Sequence, residues 1–123
     1  MSEPQEVEFD WSQAASLLGD DPNAVEPDMA AILRELVDGA KPQFDDLKSK
    51  NFETQRKEVG SLAHALRGCL LNFGFTQVGT ILHYIEKGPC TAAEFPQKMA
   101  EAEAAFAASK KLLAERYPTV GIS

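Results

Sequence analysis

The chain has 123 residues, of which 44% are hydrophobic and 25% are charged. This length suits one domain with its own core, and the composition is typical of a soluble globular protein. The net charge of −7 argues against a nucleic-acid partner, because binding to phosphates requires a basic surface.

Several classes of protein and site are not expected. No apolar run approaches the roughly 20 residues that a membrane-spanning helix needs. The acidic N-terminus lacks the basic and apolar regions of a signal peptide, so we expect a cytoplasmic protein without membrane contact. The two cysteines, Cys69 and Cys90, and the two histidines lack metal-ligand spacing, so no metal site is predicted.

The first structural elements are an acidic tail and a short helix. We predict that residues 1–8 are a disordered tail, and that a helix runs from Asp10 or Ser12 to Leu18. The sequence Gly19–Asn23 contains glycine, proline and asparagine, which is typical of a break between helices.

A long helix is predicted from about Asn23 or Pro27 to Ser49, and Pro42 should kink it or loosen one turn. Its apolar residues recur at steps of three and four, which is the pattern of one helix face. The predicted core residues of this helix are Met29, Ile32, Leu33, Leu36, Val37, Ala40, Phe44 and Leu47.

The third helix is predicted from about Phe52 to Phe73, with Asn51 as its N-cap. Gly74 follows at a position that suits a left-handed cap. The predicted core stripe of this helix consists of Val59, Leu62, Ala63, Leu66, Cys69, Leu70 and Phe73.

Two further helices complete the prediction. The fourth begins near Thr76 and stops at Gly88, and the residues from Thr91 to Glu94 have the form of a capping box that opens the fifth. Strand alternation and hairpin glycines are absent from the sequence. Because short connections join long amphipathic helices, we predict an all-α fold. Its topology should be an up-down antiparallel four-helix bundle with a short extra N-terminal helix, and residues 9–123 should form one domain.

One face of the third helix carries unusual residues. At 100° per residue, His64 points roughly 160° away from the predicted core stripe, and so faces outward. A glycine in an exposed helix costs about 1 kcal/mol relative to alanine, so glycines here need a reason. The residues that share this face are Lys57, Gly60, Arg67, Gly68 and Leu71. With Leu71 exposed, they would form a flat patch on which a partner could dock.

The run His64-x-x-Arg67-Gly68-x-x-x-x-Phe73-Gly74 resembles the signature of histidine phosphotransfer (HPt) domains. That signature has a histidine, a lysine or arginine three residues on, a glycine at the fourth position, and a glycine that ends the helix. The continuation with Phe75 and Thr76, and then His83-x-x-Glu86, is similar to the phosphotransfer domain of chemotaxis-type histidine kinases. The resemblance covers nearly the whole chain. It departs from the family at Leu70 and Leu71, where small residues are common, and in having Arg67 for the more frequent lysine.

The resemblance implies a carrier rather than an enzyme. His64 would be the phosphoacceptor, with the phosphoryl group on its Nε2 atom. Arg67 would offset the phosphate charge, and Gly68 would let a partner approach. The implied partners are a histidine kinase and the receiver domain of a response regulator, whose aspartate exchanges the group with His64. That receiver would also supply Mg²⁺, so the chain itself would need no cofactor. We also expect a monomer.

Glu86 can be placed by counting. His64 lies 11 residues before Phe75 and Glu86 lies 11 after it. In antiparallel helices both residues would then sit about 16 Å from the turn, at the same height. Glu86 could accept a hydrogen bond from Nδ1 of His64, or it could be an ordinary solvated residue.

Two other functions compete with the carrier. A helical bundle could bind a histidine kinase or a response regulator without being phosphorylated, and act as a scaffold or inhibitor. The set formed by His64, Arg67 and Gly68 argues against this, since such a role does not require an acceptor. A small metal-binding or hydrolytic bundle would need paired carboxylate–histidine motifs or a nucleophile–base pair, which the sequence lacks.

Overall fold

The computed structural model describes residues 7–122. Within this range the chain forms α-helices and a final 3₁₀ turn, and it contains no strand, so the prediction of an all-helical fold is confirmed. The elements are α1 (Trp11–Leu18), α2 (Pro27–Ser49), α3 (Arg56–Leu71), α4 (Thr76–Lys87), α5 (Phe95–Arg116) and the 3₁₀ turn Pro118–Val120.

The helices share one hydrophobic core. Helix α2 packs against α3 and α5, α4 packs against the same two helices, and α1 lies on α2. Their buried side chains form one cluster, in which the Phe106 ring lies between those of Phe44 and Phe75, with centroids 5.4 Å from each. Burying a side chain of this size contributes roughly 1.5–3 kcal/mol. This core holds α3 and α4 in place.

Helix α2 differs from its prediction at one residue. It starts at Pro27, where the missing N–H costs nothing, and it continues through Pro42 to Ser49. Leu33, Val37 and four further residues of this helix are buried. Ile32, however, is 48% exposed, so its assignment to the core was wrong. It lies about 100° from the centre of the buried stripe, beyond the reach of the neighbouring helices.

Helix α3 begins one turn later than predicted. The Asn51 side chain accepts the backbone N–H of Glu53 and of Thr54, each at 3.0 Å, as a cap would. That cap closes only a separate turn, in which Phe52 turns into the core and packs on Phe95 with ring centroids 5.0 Å apart. The helix then starts at Arg56 and ends at Leu71.

The turns that flank α4 agree with the prediction. Gly74 adopts φ +97°, the left-handed region, and its N–H bonds the Leu71 carbonyl at 3.0 Å. Before α5, the Thr91 side chain accepts the Glu94 N–H and the Glu94 carboxylate accepts the Thr91 N–H, both at 3.2 Å. The capping box is therefore confirmed.

The start of the described chain is attached to the α3–α4 turn. Val7 and Glu8 were assigned to the disordered tail, yet the Glu8 N–H donates to the side chain of Gln77 at 2.8 Å and Val7 packs on the core. The rest of that predicted tail, residues 1–6, lies outside the described residues. The Asp10 N–H bonds the Gly74 carbonyl at 2.9 Å.

The aromatic residues beside α1 pack against the same end of the molecule. Phe9 lies between Trp11 and Phe75, with ring centroids 4.5 and 5.3 Å from its own. The Arg116 guanidinium lies over the Trp11 ring at 5.1 Å. Among residues 7–122, no helix is long and apolar enough to pass through a bilayer.

Candidate functional site around His64

His64 lies on the outward face of α3. Its side chain is 65% exposed, whereas Ala63 and Leu66 on the same helix are buried. The helix presents His64 to solvent because the apolar residues at steps of three and four occupy the opposite side. A partner can therefore reach the imidazole without any rearrangement of the core.

Helix α4 places Glu86 beside this histidine. Leu71, near the end of α3, lies close to Gly79 at the start of α4, while His64 contacts Glu86 near the end of α4. The two helices therefore run antiparallel. The Nδ1 atom of His64 lies 3.1 Å from Oε2 of Glu86 and 3.3 Å from Oε1. Of the two alternatives that the sequence left open, the structure has the hydrogen-bonded one.

This contact determines the tautomer of His64. An ionised carboxylate only accepts hydrogen bonds, so Nδ1 must carry the ring hydrogen and donate it to Glu86. The lone pair of a neutral imidazole is then on Nε2, the nitrogen that reacts as a nucleophile. Within the part of the chain that is described, Nε2 has no hydrogen-bond partner.

Arg67 reaches toward the same carboxylate. Its Nη2 atom lies 3.6 Å from Oε1 of Glu86, and its side chain is only 24% exposed. Nη2 is also 3.5 Å from Nδ1 of His64, but that nitrogen already carries a hydrogen and cannot accept another. Glu86 is thus almost enclosed, with 10% of its side chain exposed; the Arg67 guanidinium offsets its charge, and the His64 Nδ1–H donates to it.

A second arginine, which the sequence analysis missed, borders the site. Arg56 donates from Nη2 to the backbone carbonyl of Glu86 at 3.0 Å, and its guanidinium lies 4.5 Å from the Phe52 ring centre. The signal was present in the sequence, because Arg56, Gly60 and His64 are spaced four residues apart and so share a helix face.

An open groove runs from His64 toward the start of α3, and we call it the cationic groove. Its volume is about 660 Å³. Its lining residues are Arg56, Lys57, Gly60, Ser61, His64, Glu86 and Lys87. Lys57 and Lys87 are exposed, so their ammonium groups are accessible from the groove.

The two glycines beside His64 are not required by the internal packing. A Cβ atom built on Gly68 would have no neighbour within 4 Å. On Gly60 it would meet only Arg56 Nη1 at 3.9 Å and Glu86 Cγ at 4.0 Å, which are ordinary contacts. Alanine would fit at both positions and would favour the helix.

Leu71 was predicted to be exposed beside His64, and that part of the prediction was wrong. Leu71 is half-buried, and its Cδ2 atom would lie 2.6 Å from a Cβ atom on Gly79. The absence of a side chain at Gly79 lets Leu71 lie across α4. Cys69, which was assigned to the core stripe, is exposed instead.

The second histidine has a different environment. His83 on α4 is exposed, as predicted, and no hydrogen bond to it occurs within residues 7–122. In the same range, no three histidine, cysteine or acidic side chains come together in a group that could hold a metal ion. The chemistry of the site therefore centres on one imidazole, one carboxylate and several cations.

Comparisons with known proteins add no identification. No known protein family, curated protein or solved structure matches this chain. The interpretation of the site therefore depends on its residues and their geometry.

Proposed function

We propose that this protein is a histidine phosphotransfer carrier of a two-component phosphorelay, and that His64 holds the phosphoryl group on Nε2. One observation carries the proposal: Nδ1 of the exposed His64 lies 3.1 Å from a carboxylate oxygen of Glu86. Because an ionised carboxylate only accepts hydrogen bonds, Nδ1 donates there, and a neutral imidazole then has its lone pair on Nε2. An ordinary surface histidine has no need of a nearly enclosed carboxylate behind it.

The transfer balances with the groups present. The Nε2 lone pair attacks the phosphorus of a receiver's aspartyl phosphate, the Nε2–P bond forms, and the P–O bond breaks as the aspartate leaves with the electron pair. The imidazole becomes cationic, and the adjacent Glu86 carboxylate offsets that charge. In the reverse step the Nε2–P bond breaks and neutral imidazole is regenerated. The partner provides Mg²⁺ and the positioning, so the chain is a carrier and not an enzyme.

The proposal includes the arrangement of the helices. Helices α2 to α5 form an up-down antiparallel four-helix bundle with α1 added at one end. The pairwise packing supports this, since each of the four helices contacts two others in the order α2, α3, α4, α5 and back to α2. The carrier is a cytoplasmic monomer with one domain, which includes Val7 and Glu8 in addition to the predicted range 9–123.

The outer face of α3 supports docking by a partner. Four of the residues that flank His64 on this surface have small side chains or none: Gly60, Ser61, Ala65 and Gly68. Arg67, which also flanks it, is directed toward Glu86, so a partner's active site can approach the imidazole over the small residues. The glycines, which the internal packing does not require, are explained by this approach.

The decisive experiment is phosphorylation by a histidine kinase or a phosphorylated receiver domain from the same organism. The wild type should acquire a label that is stable in base and labile in acid. His64→Gln should abolish it, whereas His83→Gln, which removes the other exposed histidine, should label normally. Labelling of His64→Gln would refute the assignment. A different outcome would support the scaffold or inhibitor. In that case no partner would label the wild type, and the wild type and His64→Gln would bind a partner with equal affinity.

The role of Glu86 has its own test. Glu86→Ala should slow transfer by about tenfold or more, because the imidazole loses the group that selects its tautomer. Nitrogen-15 NMR of the imidazole should show Nε2 unprotonated in the wild type and a mixture of tautomers in the variant. An unchanged rate together with an unchanged tautomer would show that Glu86 does not orient His64.

A further inference from the structure

The cationic groove has a composition that the proposed acceptor chemistry does not by itself require. Arg56, Lys57 and Lys87 carry positive charges, and Ser61 adds a hydroxyl donor. Glu86 is the one acid of the lining, and its carboxylate is already engaged by His64 and Arg67. The groove therefore offers donors to a ligand and almost no free acceptor.

The cations of the groove differ in their internal contacts. Arg56 is fixed, since it bonds the Glu86 carbonyl and lies on the Phe52 ring. Lys57 and Lys87 are exposed, and within residues 7–122 neither forms an ion pair with an acidic side chain. Two other exposed lysines of this acidic chain do form such pairs: Lys41 lies 3.0 Å from Asp45, and Lys48 lies 3.0 Å from Glu103.

We propose that the cationic groove is an oxyanion site that binds the oxygens of an incoming phosphoryl group beside His64. This inference deepens the proposed function and rests on it. Arg56 supplies a fixed charge, and Lys57 and Lys87 close on the ligand from the two helices. Gly60 keeps the base of the groove open, because its position lies between Arg56 and Glu86. The chemical class of ligand is a tetrahedral phosphoryl oxyanion.

A small donor makes the step explicit. With phosphoramidate, the Nε2 lone pair of His64 forms the new N–P bond while the P–N bond of the donor breaks. Ammonia leaves with that electron pair and with the three hydrogens that it held in the zwitterionic donor. The ring hydrogen stays on Nδ1 beside Glu86, and the phosphoryl oxygens lie in the cationic groove.

The first experiment measures binding without transfer. The full chain is titrated with inorganic phosphate at constant ionic strength, and backbone amide shifts are followed by NMR, with sodium chloride as the comparison. Saturable shifts should appear at Gly60 and Ser61. The variant Lys57→Gln/Lys87→Gln should weaken this binding by about fivefold. Absence of saturable shifts in the wild type would overturn the inference.

A matched variant separates local contacts from the overall charge. Lys41→Gln/Lys111→Gln removes the same number of charges from lysines that do not line the groove. Its phosphate affinity should equal that of the wild type. Equal weakening in the two double variants would show that only long-range electrostatics attracts the anion, and would overturn the site.

The second experiment measures transfer from phosphoramidate. The Lys57→Gln/Lys87→Gln variant should need about fivefold more phosphoramidate to reach half its maximal labelling rate, with little change in that maximum. Lys57→Arg/Lys87→Arg should restore the wild-type value. If His64 labels with identical concentration dependence in all variants, the oxyanion site is refuted and the carrier function stands. If wild-type His64 labels neither from phosphoramidate nor from a phosphorylated receiver domain, the carrier function fails, and the phosphate titration alone decides the groove.

Discussion

The outer face of α3 and the seam between α3 and α4 use glycine for different reasons. Gly79 in the seam and Gly74 at its end have close neighbours that an added Cβ atom would strike. Gly60 and Gly68 on the outer face have no such neighbours. The fold thus accounts for Gly74 and Gly79. Gly60 and Gly68 need an explanation other than internal packing, and the proposed docking of a partner provides it.

The largest effect is expected at Gly74. A Cβ atom there would lie 2.5 Å from the Asp10 carbonyl oxygen, and φ +97° is strained for any other residue. Gly74→Ala should lower the free energy of unfolding by about 3 kcal/mol or more, through strain and overlap together. Urea denaturation followed by circular dichroism measures this. A loss below about 1 kcal/mol would show that the turn relaxes easily, and would weaken the contrast with the outer face.

Gly79 should give a smaller loss, because its neighbour is a side chain that can move. Gly79→Ala should destabilise the protein by about 1–2 kcal/mol as Leu71 is displaced from α4. In a Leu71→Ala background the same substitution should cost almost nothing, since the clash at 2.6 Å is gone. Additive effects in this double-mutant cycle would contradict the packing of Leu71 on Gly79.

A large residue at Gly68 should affect docking and little else. Gly68→Leu has open space around it, so the fold and chemical labelling by phosphoramidate should be unchanged. Transfer from a phosphorylated receiver should fall by about tenfold, because the side chain keeps the partner's active site away from His64. Equal loss in both reactions would mean that the substitution damages His64 itself.

Alanine at Gly68 should stabilise the protein, whereas alanine at Gly74 or Gly79 should destabilise it. Gly68→Ala should raise the free energy of unfolding by up to about 1 kcal/mol, because alanine is the better helix former and meets no clash. Thermal denaturation compares it with wild type. A destabilised Gly68→Ala would reveal an internal role for this glycine that the structure does not show.

Alkylation of the two cysteines tests the same difference between the outer face of α3 and the interior, and it requires no substitution. Cys69 is exposed beside Gly68, whereas Cys90 is buried, and burial raises the pKa of the Cys90 thiol. At pH 8 iodoacetamide should therefore alkylate Cys69 first, as mass spectrometry of peptides can determine. A docked receiver domain should slow that alkylation. Protection of Cys90 alone would place the partner elsewhere.

Much of the fold could be predicted because it depends on local patterns. The helices follow from apolar residues at steps of three and four, and the capping box at Thr91 marks the approach to α5. The proximity of His64 and Glu86 follows from equal distances to the turn at Phe75. The late start of α3 could not be predicted, since it depends on Phe52 packing against a residue 43 positions later.

The side chains around the site could be predicted less well. Cys69 and Leu71 lie on opposite sides of the α3 core stripe, each about 100° from its centre. A periodic pattern therefore treats them almost alike. Helix α4 lies on the Leu71 side, where Gly79 admits the leucine, so that side is covered and the Cys69 side is open. Burial of a residue at the edge of a core stripe depends on where the neighbouring helix lies. The periodicity of apolar residues carries no information about that position.

Trp11 has a consequence for spectroscopy. It is the single tryptophan of the chain, and it lies against Phe9 and the Arg116 guanidinium near the α3–α4 turn. That turn, at Gly74, is about 15 Å along α3 from His64. Intrinsic fluorescence therefore reports on the end of the molecule where Trp11 meets Phe9 and Arg116. A partner seated over the imidazole should leave the emission unchanged, whereas a partner that binds beside Trp11 and Arg116 should shift it. The chain therefore carries an optical reporter of which end is occupied.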